Sequence, residues 1–198
     1  EAQLGQPLSQ LLLEADADEL ATTRASQMAV LLTSLVAWDA LKAALEAVDA
    51  GTEGQPVAFA GHSLGQITAL LAAGTVERAD GFELAAERAE LSQRSADANP
   101  GRMAALVGAP LDAAEAACAG LDAWVANDNA PGQVVIAGTP EGLEQAGERA
   151  KELGARRVMP LAVGHAFHTP LLTDAAEGLV PLLDKLYFTE PQAPIVAN

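Results

Sequence analysis

Apolar residues between Ala25 and Val48 recur at steps of three and four. Leu31, Leu35, Trp38, Leu41 and Leu45 fall on one line along a helix, and Met28, Val30, Leu32 and Val36 spread onto neighbouring faces. That spread predicts a long, well-buried helix, and residues 1–48 as a whole read as helical. The period then changes. Gly51 to Pro56 is a Gly-rich loop, the run from Pro56 to Ala60 a short buried strand, and Ile67–Ala73 an apolar helix stopped by Gly74. Asp80 is placed to cap a helix over 81–98. In it Leu84, Arg88 and Leu91 fall at steps of four and three, which sets a guanidinium in the apolar stripe. Glu83 and Glu87 lie to the sides, and Glu90 and Arg94 are spaced for a surface pair.

Asn99-Pro100-Gly101 breaks this rhythm. Short apolar runs at 103–107, 123–126, 133–137 and 156–161 read as strands. The run 111–119 reads as a helix, residues 127–132 as a turn, and a second helix is capped by Thr139, carries Pro140 at its first position and stops at Gly154. The order β-α-β-β-α-β is that of a ferredoxin-like unit: four antiparallel strands with two helices on one face. The expected fold class is therefore α/β. Residues 1–101 and 162–198 form the main body and 102–161 a subdomain, near the lower size limit for an independent core and leaning on that body. Gly164-His165-Ala166-Phe167-His168-Thr169-Pro170 then opens a helix through Leu186.

Composition narrows the function classes. A chain of 198 residues supports one sizeable core. No stretch offers the ~18–20 uninterrupted apolar residues of a membrane span, and the opening Glu1-Ala2-Gln3-Leu4 lacks the basic region of a signal peptide. The single cysteine, Cys118, leaves no internal disulfide, fits a reducing compartment and reads as packing. The net charge of −16, spread along the chain, disfavours nucleic acid and anionic membranes and serves solubility.

Gly61-His62-Ser63-Leu64-Gly65 carries the chemistry. It matches the nucleophile elbow Gly-x-Ser-x-Gly, with a strand before it and a helix after it. A sharp reversal from strand to helix strains the backbone at the nucleophile, and flanking glycines avoid clashes there. It presents the Ser63 hydroxyl at a helix N-terminus, where the N–H of Leu64 can stabilise an oxyanion. A serine nucleophile needs a base near neutral pH. The three histidines fall in two short stretches, His62 in the elbow and His165 and His168 downstream. His168, followed by Thr-Pro at a helix start, is the candidate base; one base suffices, so His165 reads as structural. Arg88 has two readings: a buried ion pair with a carboxylate of the chain, or a clamp for an acidic substrate. Two histidines at i, i+3 without a third matched ligand make a weak zinc case, and no metal is expected.

Gly-His-Ser-Leu-Gly, an arginine 25 residues after Ser63, Asn127-Asp-Asn-Ala-Pro-Gly-Gln-Val-Val-Ile-Ala-Gly138 and His165-Ala-Phe-His168 occur here in one order. Together with Thr23-x-x-x-Gln27 they resemble the malonyl-CoA:acyl carrier protein transacylases, acyltransferases of fatty-acid and polyketide synthesis. The resemblance covers essentially the whole chain. It implies an α/β-hydrolase-like core with an inserted ferredoxin-like βαββαβ subdomain. It also implies that Ser63 is acylated, that His168 is its base, that Leu64 gives one oxyanion donor and that Arg88 holds the free malonyl carboxylate. Phe167 limits room at the α-carbon, and His62 belongs to the substrate site. The implied partners are malonyl-CoA and an acyl carrier protein, with no cofactor beyond the coenzyme A thioester, no metal, no nucleic acid and no membrane, in a cytoplasmic monomer. The resemblance places the family's opening Gly-Gln-Gly strand ahead of Glu1 and a further strand-and-helix region beyond Asn198; Gln66 stands where the family usually has glutamate. Two alternatives remain. One is a serine esterase or thioesterase, drawing its third member from Asp112, Asp122 or Asp128; the other is a catalytically silent carrier-protein-binding domain.

Overall fold

A computed structural model describes residues 8–49 and 51–197, so residues 1–7, Ala50 and Asn198 lie outside the described residues. The chain divides into two compact units. The first takes Arg24–Glu90 with the flanking Glu1–Leu20 and Leu179–Asn198, the second Leu91–Gly178 with Ala21–Thr23. The division falls at 90/91 and 178/179, and so assigns the stretch 162–178 with the antiparallel strands.

The first unit contains helices α1 (Leu8–Leu13), α2 (Ala17–Leu20), α3 (Thr23–Ala47) and α4 (Gly65–Ala72), and the start of α5 (Arg78–Ala98). Strand β1 (Phe59–Ala60) pairs in parallel with the late strand β6 (Ile195–Val196). The expected strand over 56–60 shrinks to two residues because only Phe59 and Ala60 meet a partner, opposite Ile195 and Val196, while Val57 is 91% exposed. Phe59 packs edge-to-face on Trp38 at 5.5 Å between ring centroids. Ala69 and Ala73, small enough to bring α4 close, complete this cluster. A larger core joins Met28, Leu31 and Leu35 of α3, Leu64, Ile67 and Leu71 around α4, and Leu84, Ala85 and Ala89 of α5. Emptying a position such as Leu31, fully buried here, costs about 2–5 kcal/mol.

Two expectations fail in this unit. The helix α3 is not buried along its length. Its inner line is covered from Met28 to Leu35, but Leu41 is half exposed, and Val30 and Val36 are open as well. The described residues cover one face, whereas the apolar positions occupy several. With 25 residues and a hydropathy of 1.6, α3 is also long and apolar enough to cross a membrane by length and composition, although polar residues interrupt its apolar run. Its inner face is already engaged in a protein core. Helix α5 starts at Arg78 rather than after Asp80. Asp80 therefore sits inside the first turn, where its charge complements the helix dipole instead of capping.

In the second unit β2 (Arg102–Val107), β3 (Ala123–Ala130), β4 (Gln133–Gly138) and β5 (Arg157–Pro160) form one antiparallel sheet in the order β3-β4-β2-β5. Alternation along the strands sorts its two faces. Ala104, Leu106, Val134 and Ile136 pack with α6 (Leu111–Cys118) and α7 (Pro140–Glu152), and Met103, Val135 and Ala137 pack with Ala166, Phe167 and Leu171. Thr139 caps α7 as expected, its Oγ1 accepting from the Gly142 N–H at 3.1 Å, with Pro140 in the first turn. The turn expected over 127–132 tightens, because two register shifts between Val125 and Ala130 keep Asn127 and Asp128 in the ladder. The helix expected through Leu186 is shorter. A 3-10 turn at Pro170–Leu172 precedes α8 (Thr173–Leu183), after which Lys185 and Leu186 donate to carbonyls three residues back.

Candidate active site

The elbow is built by close approach. A Cβ on Gly61 would stand 1.9 Å from the Gly65 carbonyl oxygen and 2.6 Å from the Gln66 nitrogen, so no other residue fits. Gly65 is different: a Cβ there meets nothing within 4 Å. Only the first of the two glycines is a steric requirement, which corrects the expectation for the pair. Between them Ser63 takes φ 54°, in the left-handed region that costs a non-glycine residue about 1–3 kcal/mol. Leu64 is the N-cap of α4 and returns to right-handed backbone. The turn bonds use the N–H groups of Gly65, Gln66 and Ile67, donated to His62, Ser63 and Leu64 carbonyls; the Leu64 N–H is not among them. Ser63 is part-exposed and His62 exposed.

Arg88, from the apolar stripe of α5, reaches this turn. Its Nη2 donates to Ser63 Oγ at 3.1 Å and its Nη1 to Gln27 Oε1. Burial pulls the Arg88 pKa down, but a guanidinium keeps its charge in proteins. Among the described residues no Asp or Glu forms an ion pair with Arg88, while neighbouring Glu90 reaches Arg24 at 3.6 Å. The partners of this inward cation are thus a hydroxyl and a neutral amide, not the carboxylate a structural arginine would take. Reading the sequence for catalytic groups missed Gln27. The signal was present: Gln27 lies four residues before Leu31 and eight before Leu35, a polar residue on the buried line of α3. It is 7% exposed, and its Nε2 is buried without a hydrogen-bond partner.

The second unit holds the other candidates. His168 has φ 59° and is exposed; with Ser63 it makes two of the three non-glycine residues in left-handed backbone among the described residues. Thr169 fixes the turn after it, donating to the Ala166 carbonyl at 2.7 Å and accepting from the Leu171 N–H at 3.3 Å. Phe167 is half-buried and meets His165 edge-to-face at 5.7 Å between centroids. His165 is fully buried, and neither ring nitrogen makes a hydrogen bond of proper geometry. Burial lowers its pKa, with the Asn99 backbone pulling the other way. Of the acids considered for a triad, Asp112 accepts the Ala113 N–H at the start of α6 and Asp128 stands opposite Val134 in the sheet. The backbone carbonyl of Asp122 accepts from the N–H of Thr139. Among the described residues no group of three His, Cys, Asp or Glu is placed to hold a metal ion.

Comparison with known proteins places this geometry. Residues 1–197 match the model of the acyl transferase domain family. The chain is 37% identical to the malonyl CoA-acyl carrier protein transacylase of Bacillus subtilis, covering 96% of this chain and 59% of that protein. It is 38% identical to the Escherichia coli K12 protein of the same name, covering 100% of this chain and 63% of that one. Among solved structures it is similar, with a TM-score of 0.88 and 34% identity, to a malonyl-transacylase in complex with its type II polyketide-synthase acyl carrier protein; the match covers 98% of this chain and 62% of the other. The chain spans about three fifths of the length of the curated relatives it matches.

Proposed function

The chain belongs to the acyl transferase domain family, and from that premise we propose that it moves malonyl groups from malonyl-CoA to the phosphopantetheine thiol of an acyl carrier protein through an ester on Ser63. The observation that carries this reading is the guanidinium of Arg88 on Ser63 Oγ without a carboxylate of its own. In a malonyl ester the free carboxylate lies three bonds beyond Oγ, within reach of a cation that already touches that oxygen.

In the first half-reaction His168 takes the Ser63 proton as Oγ attacks the thioester carbonyl. The oxygen–carbon bond forms, the carbon–sulfur bond breaks, and coenzyme A leaves with the proton. The carrier thiol then gives its proton to His168 and attacks the ester, and Ser63 Oγ leaves and recovers a proton. In both steps the N–H of Leu64 faces the developing oxyanion. Phe167 restricts substituents on the α-carbon, and His62, exposed beside the nucleophile, lines the approach. No cofactor or metal takes part beyond the thioester, and the protein works in the cytoplasm as a monomer, apart from nucleic acid and membranes. The strand order β5-β2-β4-β3 with two helices on one face supports reading 102–161 as a ferredoxin-like insertion. The parallel pair β1–β6 leading into the elbow supports an α/β-hydrolase-like core.

Intact-mass spectrometry after brief exposure to malonyl-CoA tests the reading. A malonyl adduct on Ser63 that clears only when carrier thiol is added supports it. An adduct lost to water at the same rate without the thiol assigns an esterase, and absence of any adduct assigns a silent domain.

A further inference from the structure

Resting on that reading, we propose that Ser95 is a positioning residue for the base: its buried hydroxyl bolts down the turn that carries His168. Ser95 lies near the end of α5 and is 5% exposed. A serine inside a helix commonly bonds the carbonyl one turn back in its own helix. A hydroxyl has one proton to donate, and that of Ser95 goes instead to the Leu171 carbonyl at 2.7 Å, 76 residues along the chain and within the same unit. The other end of the turn is held by close approach. Ala166 is fully buried, and a Cβ on Gly101 would stand 2.6 Å from its Cβ and 2.9 Å from its nitrogen. Between these ends Thr169 donates to the Ala166 carbonyl and accepts from the Leu171 N–H.

His168 sits between the two anchors with φ 59°. A residue other than glycine persists in left-handed backbone only where its surroundings over-determine it. On one side Ala166 and Phe167 are packed on the sheet face of Met103, Val135 and Ala137. On the other, Ser95 ties Leu171 to α5. Without that proton the Leu171 carbonyl loses its tie, and the backbone at 168 can relax towards negative φ. Rotation there swings the imidazole out of the direction the turn gives it. A general base works only within hydrogen-bond reach of the proton it takes, so a drift of the ring slows the reaction while the fold persists. In this role Ser95 acts only through His168.

The test reads the initial rate of ester formation on Ser63 by intact mass, with malonyl-CoA and with acetyl-CoA. It compares wild type with Ser95→Ala, Ser95→Thr, His168→Ala and the double variant S95A/H168A. Alanine is a better helix former than serine, so S95A should keep the wild-type circular dichroism spectrum. Ser95→Cys, near serine in volume but only a weak donor, repeats the comparison if alanine unsettles the fold. S95A is expected to slow both thioesters by the same factor, roughly 10- to 100-fold, a part of the ~10²–10⁴ that a placed base supplies. S95T, which keeps a hydroxyl, retains most of the wild-type rate. In the H168A background the change at Ser95 makes no further difference, because no base is left to position. A merely structural serine would slow the H168A protein as well. That additive result, or a wild-type rate in S95A, overturns the proposal and leaves the transfer reading standing. Folded S95T as slow as S95A overturns it too, since the hydroxyl would then not be the operative group. Wild type that takes no acyl group, or H168A that loads as fast as wild type, sinks the transfer reading and this inference together.

Discussion

Gly61→Ala asks whether the elbow is set by space. The added methyl would lie 1.9 and 2.0 Å from the Gly65 carbonyl oxygen and carbon, against 3.4–4 Å for ordinary contact. About 1.5 Å of overlap must be relieved, and the obstacle is backbone, which no rotamer change removes. That backbone is also tied down, since the Gly65 N–H donates to the His62 carbonyl at 2.9 Å and Gly65 opens α4. Gly61 is not among the glycines with positive φ, so the effect isolates contact from conformation. Overpacking costs about 1–3 kcal/mol, and a clash with fixed backbone belongs at the top of that range. For a domain of this size ~3 kcal/mol lowers the melting temperature by about 6–12 °C. Gly65→Ala is the matched control: with nothing within 4 Å, alanine at the start of a helix should gain up to about 1 kcal/mol. Thermal melts followed by far-UV circular dichroism separate the two, and acylation of Ser63 should vanish in G61A alone. Equal melting of both variants, or wild-type melting of G61A, would refute the steric account.

Arg88→Ala should cut malonyl loading by about 2–4 kcal/mol, roughly 30- to 700-fold, and spare acetyl loading; equal losses for both thioesters would make Arg88 a scaffold residue. His165, buried and with its pKa held down, stays neutral in the fold and protonates when unfolded near its ordinary value of about 6.5. Its share of stability is therefore present above that pH and lost on acidification, and its ring protons should titrate at lower pH in the folded protein than in the unfolded chain. Burial raises the Cys118 thiol to about 11. The folded state keeps this proton where the unfolded chain loses it, so stability falls as pH rises from about 9 towards 11, and thiol reagents at pH 8 should leave the folded protein untouched. Asp39, held below the usual carboxylate range by Arg78 at 2.6 Å and Lys42, loses its contribution as pH drops below about 4. Because both groups are largely exposed, Asp39→Asn should cost less than about 1 kcal/mol in a urea melt.

The elements that could be read from the sequence were those whose signals are local. Thr139-Pro140 marks the start of α7 by its own hydroxyl and ring, and continuous apolar runs in 103–107 and 133–137 mark two strands that each have two covered faces. Strand β1 was overextended because an apolar run does not say where its partner ends: Ile195 and Val196 supply only two rungs. Helix α3 was judged buried because hydrophobicity measures what a face would prefer, not what lies against it. At the site, the motif gave Ser63, and the stripe of α5 singled out Arg88 as a cation out of place. Gln27 escaped because a neutral amide on an apolar face costs little enough to pass unnoticed. Its meaning appears only when Arg88, 61 residues away, is seen to touch it.

The exposed side of α3 has a consequence for how copies of this chain meet in solution. Val30, Val36 and Leu41 are exposed apolar side chains that water disfavours, while a net charge of −16 keeps like surfaces apart. The two forces have different ranges. Charge repulsion acts across about 10 Å in 0.1 M salt but only about 3 Å in 1 M salt, whereas apolar attraction between helices is unaffected or strengthened by sulfate. Colloidal behaviour should therefore turn on ionic strength rather than on folding: well-dispersed protein in dilute buffer, and self-association on salting with an unchanged circular dichroism spectrum. Placing one aspartate at Val36 or Leu41 would shift that threshold without touching Ser63.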